Sequence, residues 1–198
     1  MEALNHRLFF LINAPAHPDA LMVSFARGLA DELIWLVPLL LIYGWLWGNE
    51  QRRIAMLEAT VAGLAGLLAN QVIALVWPHP RPFMVNMGHT FLRHVADSSF
   101  PSDHLTLIWS VSFCLIMRKH FRPAGIAVAL AGLPVAWARI YLGVHFPLDM
   151  VGAALVAVMS AWLVLRGERL LIDVCYRPMF AAYHLLAKPL IRGGWLNE

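Results

Sequence analysis

"LIWLVPLLLIYGWLW", Leu33 to Trp47, carries no charged residue and is interrupted only by Pro38 and Gly44. A helix that spans a bilayer needs about 20 mostly apolar residues, range about 17–25. Extended upstream across Arg27, Asp31 and Glu32, the run becomes a first span over residues 21–47. Four further runs qualify, over residues 54–77, 103–118, 123–139 and 148–165. Those at 103–118 and 123–139 are short and reach the headgroup region at one end. Composition agrees, since 60% of the 198 residues are hydrophobic and 14% are charged. Soluble domains run at about 45–50% and about 25%. Uncharged runs of this length exclude a soluble helical protein with a large core. The expected fold is all-α, a polytopic membrane helix bundle with five to six transmembrane helices.

Nothing resembles a linker, a low-complexity segment or an internal repeat, so residues 1–198 read as a single membrane domain. The apolar stretch Leu8–Ile12, followed by Ala14-Pro15-Ala16, imitates a signal peptide. It is shorter than the roughly 7–15 apolar residues such a signal needs. It reads as a short interfacial helix or the start of the first span, and residues 4–14 are the candidate sixth element. Cys114 and Cys175 lie far apart and read as packing residues. Glu58, Asn70 and Gln71 interrupt the second span and are expected to face other helices.

Five spans place the loops on alternate sides. One side collects Arg52, Arg53, Arg118, Lys119, Arg122, Arg166, Arg169, Arg177, Lys188 and Arg192, ten of the fifteen Lys and Arg. The positive-inside rule makes that side cytoplasmic, together with a C-terminal tail over residues 166–198. The basic excess therefore needs no nucleic acid. Leu170, Leu171, Tyr176, Phe180 and Tyr183 among basic residues suit a tail lying along the inner leaflet.

Three polar stretches then meet at the outer surface: "WPHPRPF" (Trp77–Phe83), "FPSDH" (Phe100–His104) and "ARIYLGVHFPLD" (Ala138–Asp149). Their residue types suit a phosphate. Arg81 and Arg139 offer planar donor forks. Ser102 adds a hydroxyl, and the helix that opens beside it presents backbone N–H groups, Asp103's among them. His145 lies four residues before Asp149, and Pro147 between them suits a helix's first turn. An Asp on one ring nitrogen leaves the other nucleophilic. His104 can supply the proton a leaving oxygen needs. Gly143 frees the turn before His145. Taken singly, each residue has a plainer explanation. Arg81 is a headgroup anchor and Asp149 a helix N-terminal charge; His6, His17, His120 and His184 read as interfacial histidines. The ordered set on one side is what chance does not supply.

The three stretches resemble the tripartite signature of the type 2 phosphatidic acid phosphatase superfamily, Lys-x6-Arg-Pro, Pro-Ser-Gly-His and Ser-Arg-x5-His-x3-Asp. The resemblance covers a catalytic core over residues 54–165. "PSDH" and "YLGVHFPLD" look most like bacterial undecaprenyl-pyrophosphate phosphatases of the bacitracin-resistance type. The resemblance implies that His145 is the nucleophile, forming a phosphohistidine, that Asp149 orients it, and that His104 is the general acid and later the base. It implies phosphate binding by Arg81, Ser102 and Arg139, with no metal and no cofactor. Three positions depart from the pattern: Ala74 stands at the lysine, Ala138 at the serine before Arg139, and Asp103 at the glycine. His79 or Arg93 is the expected substitute donor, and the Asp103 carboxylate is expected to point away, toward Arg93 or solvent.

An outer, membrane-edge site favours a polyprenyl pyrophosphate lipid, processed at the bacterial inner membrane. Alternatives are a broader lipid phosphatase acting on phosphatidylglycerophosphate or phosphatidate, and a lipid phosphotransferase. A metal hydrolase would draw on His79, His89, His94, Asp97, His104, His145 and Asp149, whose spacing fits no simple zinc motif. A small transporter would show paired discontinuous segments, which are absent from the sequence. Residues 84–99 are expected to contact the second phosphate or cover the site.

Overall fold

The computed structural model describes residues 2–192 and 195–196. Its helices are α1 (Glu2–Ile12), α2 (Ala20–Asp31), α3 (Leu36–Leu46), α4 (Glu50–Val76), α5 (Asp103–Met117), α6 (Arg122–Tyr141), α7 (Pro147–Arg166), α8 (Glu168–Leu171) and α9 (Arg177–Arg192). No strand occurs among the described residues. Four stretches are long and apolar enough to cross a membrane: Ala20–Leu46, Glu50–Val76, Arg122–Tyr141 and Pro147–Arg166. The shorter apolar helix α5 joins them.

α5 sits at the centre, against α4, α6 and α7; α2 packs on α6 and α3 on α4. Small residues let these helices approach closely, as membrane bundles require. Ala55, Ala59 and Ala62 on α4 and Ala153, Ala157 and Ala161 on α7 are buried. A Cβ at Gly66 would lie 2.7 Å from Ser110 Oγ and 2.9 Å from Thr106 Cγ2, so the α4 backbone lies directly on the small α5 side chains there. Large apolar side chains point outward instead, among them Leu39, Leu64, Leu68, Leu75, Leu155 and Leu163. Water would not tolerate so extensive an apolar exterior; lipid does.

Three expected boundaries shift. The first span is two helices, because α2 stops at Asp31 and a 3-10 turn over Leu33–Trp35 precedes α3. Pro38 explains the restart: without an N–H, it fits the first turn of a new helix and not the middle of a longer one. The second span starts at Glu50, earlier than expected, with the Asn49 side chain accepting from Arg52 N at 3.0 Å. Residues 4–14 are no spanning element: α1 has 11 residues, about 16 Å at 1.5 Å per residue, half a bilayer core. It docks sideways, with Phe9 against Phe146 and the Asn5 side chain accepting from Leu148 N at 3.0 Å.

Glu58 is buried and paired with Arg118, which also reaches Glu168 at 2.8 Å. That ion pair ties α4 and α5 to α8 at the end remote from the three polar stretches. Beside it, Arg53 donates to Trp45 O at 3.0 Å and lies over the Tyr183 ring, which anchors α9.

Candidate active site

The three polar stretches converge where α4 ends and α5 and α7 begin. Pro147 opens α7, and its first turn carries Asp149 back toward the preceding loop. Asp149 Oδ2 accepts from His145 Nδ1 at 3.1 Å, from Phe146 N at 2.7 Å and from Ser99 Oγ. On the far side of the ring, Arg81 Nη1 approaches His145 Nε2 at 3.1 Å and donates to Val144 O at 2.9 Å. A guanidinium can only donate. Nε2 must therefore accept, so Nδ1 carries the proton that faces Asp149. The Nε2 lone pair of His145 points away from the carboxylate.

Arg81 is held on every edge. Nε donates to Asp97 Oδ1 at 2.8 Å and Nη2 to Ser98 O at 3.2 Å. Arg139, at 1% exposure, is held far less: Nη1 reaches Ala30 O at 3.5 Å, and Nε has no partner among the described residues. Ser102 is the N-cap residue of α5, yet its buried Oγ has no partner among the described residues either. Orphaning a buried polar group costs about 1–3 kcal/mol, a cost an anion between Arg139 and Ser102 would offset. The first N–H groups of α5, on Asp103 and His104, have no intrahelical acceptor and open on the same end.

His104 and Arg139 line a cavity of about 450 Å³ together with Asp31, Leu92, Arg93, His94 and Val95. The His94 ring lies 6.3 Å from that of His145. Burial, and after it the positive charge of Arg139 and Arg81, holds His145 well below the ordinary histidine value. His94 is lowered too, first by burial.

The two candidate substitutes for the missing lysine part company. His79 turns its ring onto Trp77 and Phe100, at 5.5 and 6.4 Å, and contributes its backbone carbonyl to Ser99 N at 2.7 Å. Arg93 is exposed on the cavity wall. Asp103 is exposed and its partner is not Arg93: Asn70 Nδ2 donates to it at 2.8 Å, and to Thr106 Oγ1 at 3.0 Å. The loop over residues 84–99 is anchored by Asn13, which donates to His89 O at 2.9 Å and to Tyr141 O at 3.1 Å. Gly143, at φ +79, makes room there, since a Cβ would meet His89 O at 2.2 Å. Ser99, Asn13 and the Asn70–Asp103 pair escaped the sequence reading. Ser99 alone had a signal, its place immediately before "FPSDH". Among the described residues no three His, Cys, Asp or Glu side chains gather as a metal site.

A family model described as the PAP2 superfamily matches residues 55–172, more than half of the chain. The chain belongs to the PAP2 superfamily. This PAP2 protein is 36% identical to the putative undecaprenyl-diphosphatase YbjG of Escherichia coli (strain K12), over 100% of both chains. It is 34% identical to the undecaprenyl-diphosphatase BcrC of Bacillus subtilis (strain 168), over 93% of this chain and 96% of that one. In fold it resembles the crystal structure of Aquifex aeolicus LpxE, with a TM-score of 0.61 and 23% identity over 82% of this chain and 95% of that chain. With its apolar helices, this PAP2 protein is a multi-pass membrane protein and a membrane lipid phosphatase.

Proposed function

We propose that the protein hydrolyses undecaprenyl pyrophosphate to undecaprenyl phosphate and inorganic phosphate, through a phosphohistidine and without a metal. The observation that carries this reading is the line Arg81–His145–Asp149: a histidine with its proton fixed on Nδ1 and its Nε2 lone pair beside a guanidinium. Relatives that bear the undecaprenyl-diphosphatase name support the substrate.

His145 Nε2 attacks the terminal phosphorus, and the P–O bond to the bridging oxygen breaks. That oxygen leaves on the lipid phosphate and takes the proton of His104. Water then attacks the phosphohistidine as His104 takes its proton, the N–P bond breaks, and phosphate departs. Asp149 holds the Nδ1 proton throughout and stabilises the imidazolium. Arg81, Arg139, Ser102 Oγ and the Asp103 N–H neutralise the transferring phosphoryl group, where fixed charge contributes most. Two arginines aimed at one position oppose a cation there. The core over residues 54–165 carries the chemistry. It faces the outside of the bacterial inner membrane, with the tail in the cytoplasm; the basic residues at the opposite end support that orientation.

Phosphate release from undecaprenyl pyrophosphate by the purified protein tests the reading. Release should persist in excess chelator and vanish in His145→Ala. A lipid monophosphate, with a second pKa near about 6, leaves more readily than an alkoxide. His104→Ala should therefore slow pyrophosphate cleavage less than monophosphate cleavage; equal losses would count against the assigned acid. No release from any lipid phosphate would end the reading.

A further inference from the structure

We propose that Arg93, assisted by His94, forms a subsite for the second phosphate of a diphosphate head and so makes the protein prefer lipid diphosphates to monophosphates. The inference rests on the phosphatase reading and names what gives that reaction its selectivity. The phosphate to be transferred must touch His145 Nε2, between Arg81 and Arg139. Its bridging oxygen then faces His104. The remaining phosphate lies beyond His104, and there the structure has the cavity of about 450 Å³ that His104 and Arg139 share with Arg93 and His94.

The supply of donors fits that division. Arg81 is committed to Asp97, Ser98, Val144 and His145, so it serves the inner position. Arg93 is exposed and makes no ion pair or side-chain hydrogen bond among the described residues. Its guanidinium is available to an anion that enters from outside. A fork of this kind matches phosphate oxygens two at a time. Asp31 is the carboxylate on the cavity wall, and Asp97 is occupied by Arg81 at 2.8 Å. Donors thus outnumber carboxylates around the outer position.

The segment that presents Arg93 is also held. Phe91 N donates to Leu142 O at 3.0 Å, and Arg27 Nε donates to Phe91 O at 2.8 Å. On the other side, the His94 Nδ1 and Val95 O atoms are 3.1 Å apart. A monophosphate seated on His145 would have no group to offer this wall. A diphosphate would.

The rival role for Arg93 is that of the lysine missing at Ala74, acting on the transferred phosphate. The two roles differ in one ratio. In Arg93→Ala, kcat/KM for a polyprenyl diphosphate divided by that for the monophosphate of equal chain length should fall tenfold or more. Arg93→Lys, which keeps charge but loses the fork, should fall between. An unchanged ratio, with both substrates losing equally, gives Arg93 the lysine's role and overturns the proposal. Binding separates this from the catalytic reading. The His145→Ala protein in detergent should bind inorganic pyrophosphate at least tenfold tighter than inorganic phosphate, and adding Arg93→Ala should erase most of that preference. No preference in His145→Ala, or one that survives the second substitution, overturns the subsite even if the wild-type protein proves to be a phosphatase. Failure of the wild-type protein to release phosphate ends the functional reading instead, and the binding preference still decides the subsite.

Discussion

His145 is specified by two neighbours and by its burial: Asp149 sits on Nδ1, Arg81 on Nε2, and the ring is closed off from solvent. Its pKa lies well below that of a free histidine, with burial the main cause. The sign for stability follows. Below the free value, near about 6.5, the unfolded chain takes up the proton before the folded one does. The stability due to neutral His145 is therefore full above that pH and declines as pH falls below it. Thermal unfolding in detergent from pH 8 to pH 5, compared between the wild-type protein and His145→Asn, should show this contribution as the difference between the two slopes. Ser99 is the second residue-scale case. Its hydroxyl shares Asp149 Oδ2 with the imidazole, at full burial. Losing a buried partner of about 1–3 kcal/mol predicts a kcat roughly tenfold to a hundredfold lower in Ser99→Ala, with KM little changed. Partial recovery in Ser99→Thr would show that the hydroxyl matters more than the volume. Arg139→Ala, which removes a donor proposed for the transferring group, should cost about 10²–10³ in kcat.

Among the elements, α5 carries the most. Its first turn brings His104 and unpaired backbone N–H groups to the polar end, and its body packs against α4, α6 and α7. The contact at Gly66 sets how close α4 and α5 come. Gly66→Val would drive a side chain into Ser110 and Thr106 and should destabilise the fold by about 1–3 kcal/mol, as overpacking does. A drop in thermal midpoint, with activity lost beyond what unfolding explains, would link that contact to the seating of His104. The turn before His145 is equally strict. Gly143→Ala meets both a positive φ of 79 and the His89 carbonyl, so it should disturb the loop over residues 84–99 and lower activity. α9 is tied to the bundle through Tyr183 on Arg53 and Trp45, far from the polar site.

The molecule as a whole is polarised. One end gathers His94, His104, His145, Arg81 and Arg139; the other has the Glu58–Arg118–Glu168 ion pairs and most of the basic side chains. Between them the exterior is apolar, with Leu64, Leu68, Leu155 and Leu163 exposed to what must be lipid. The proposed orientation can be tested by labelling in intact cells, after replacement of Cys114 and Cys175. Val95→Cys, at the cavity mouth, should react with an impermeant maleimide from outside. Lys119→Cys should react only after permeabilisation. The reverse pattern would invert the topology and the access of substrate with it.

Runs of apolar residues are a local property, so the sequence alone determined the helical membrane fold and nearly all of its spans. The order of Arg81, Ser102, His104, Arg139, His145 and Asp149 was legible for a related reason: each lies at a helix end marked by proline, glycine or a change of polarity. The break of the first span is signalled by Pro38, but the unbroken apolar length around it masks that signal, and the 3-10 turn over Leu33–Trp35 marks the break. The rest depended on distance across the fold. Ser99 meets Asp149 across 50 positions, Asn13 meets Tyr141 across 128, and Asn70 meets Asp103 across 33. No spacing rule encodes such pairs, because packing of helices remote in sequence selects them. The same packing turned the His79 ring onto Trp77 and Phe100 and put Arg93 on the cavity wall. The order of residues along the chain sets which groups are present at the membrane edge; tertiary structure decided which of them face one another, since buried polar groups take the partners that the helix contacts bring within reach.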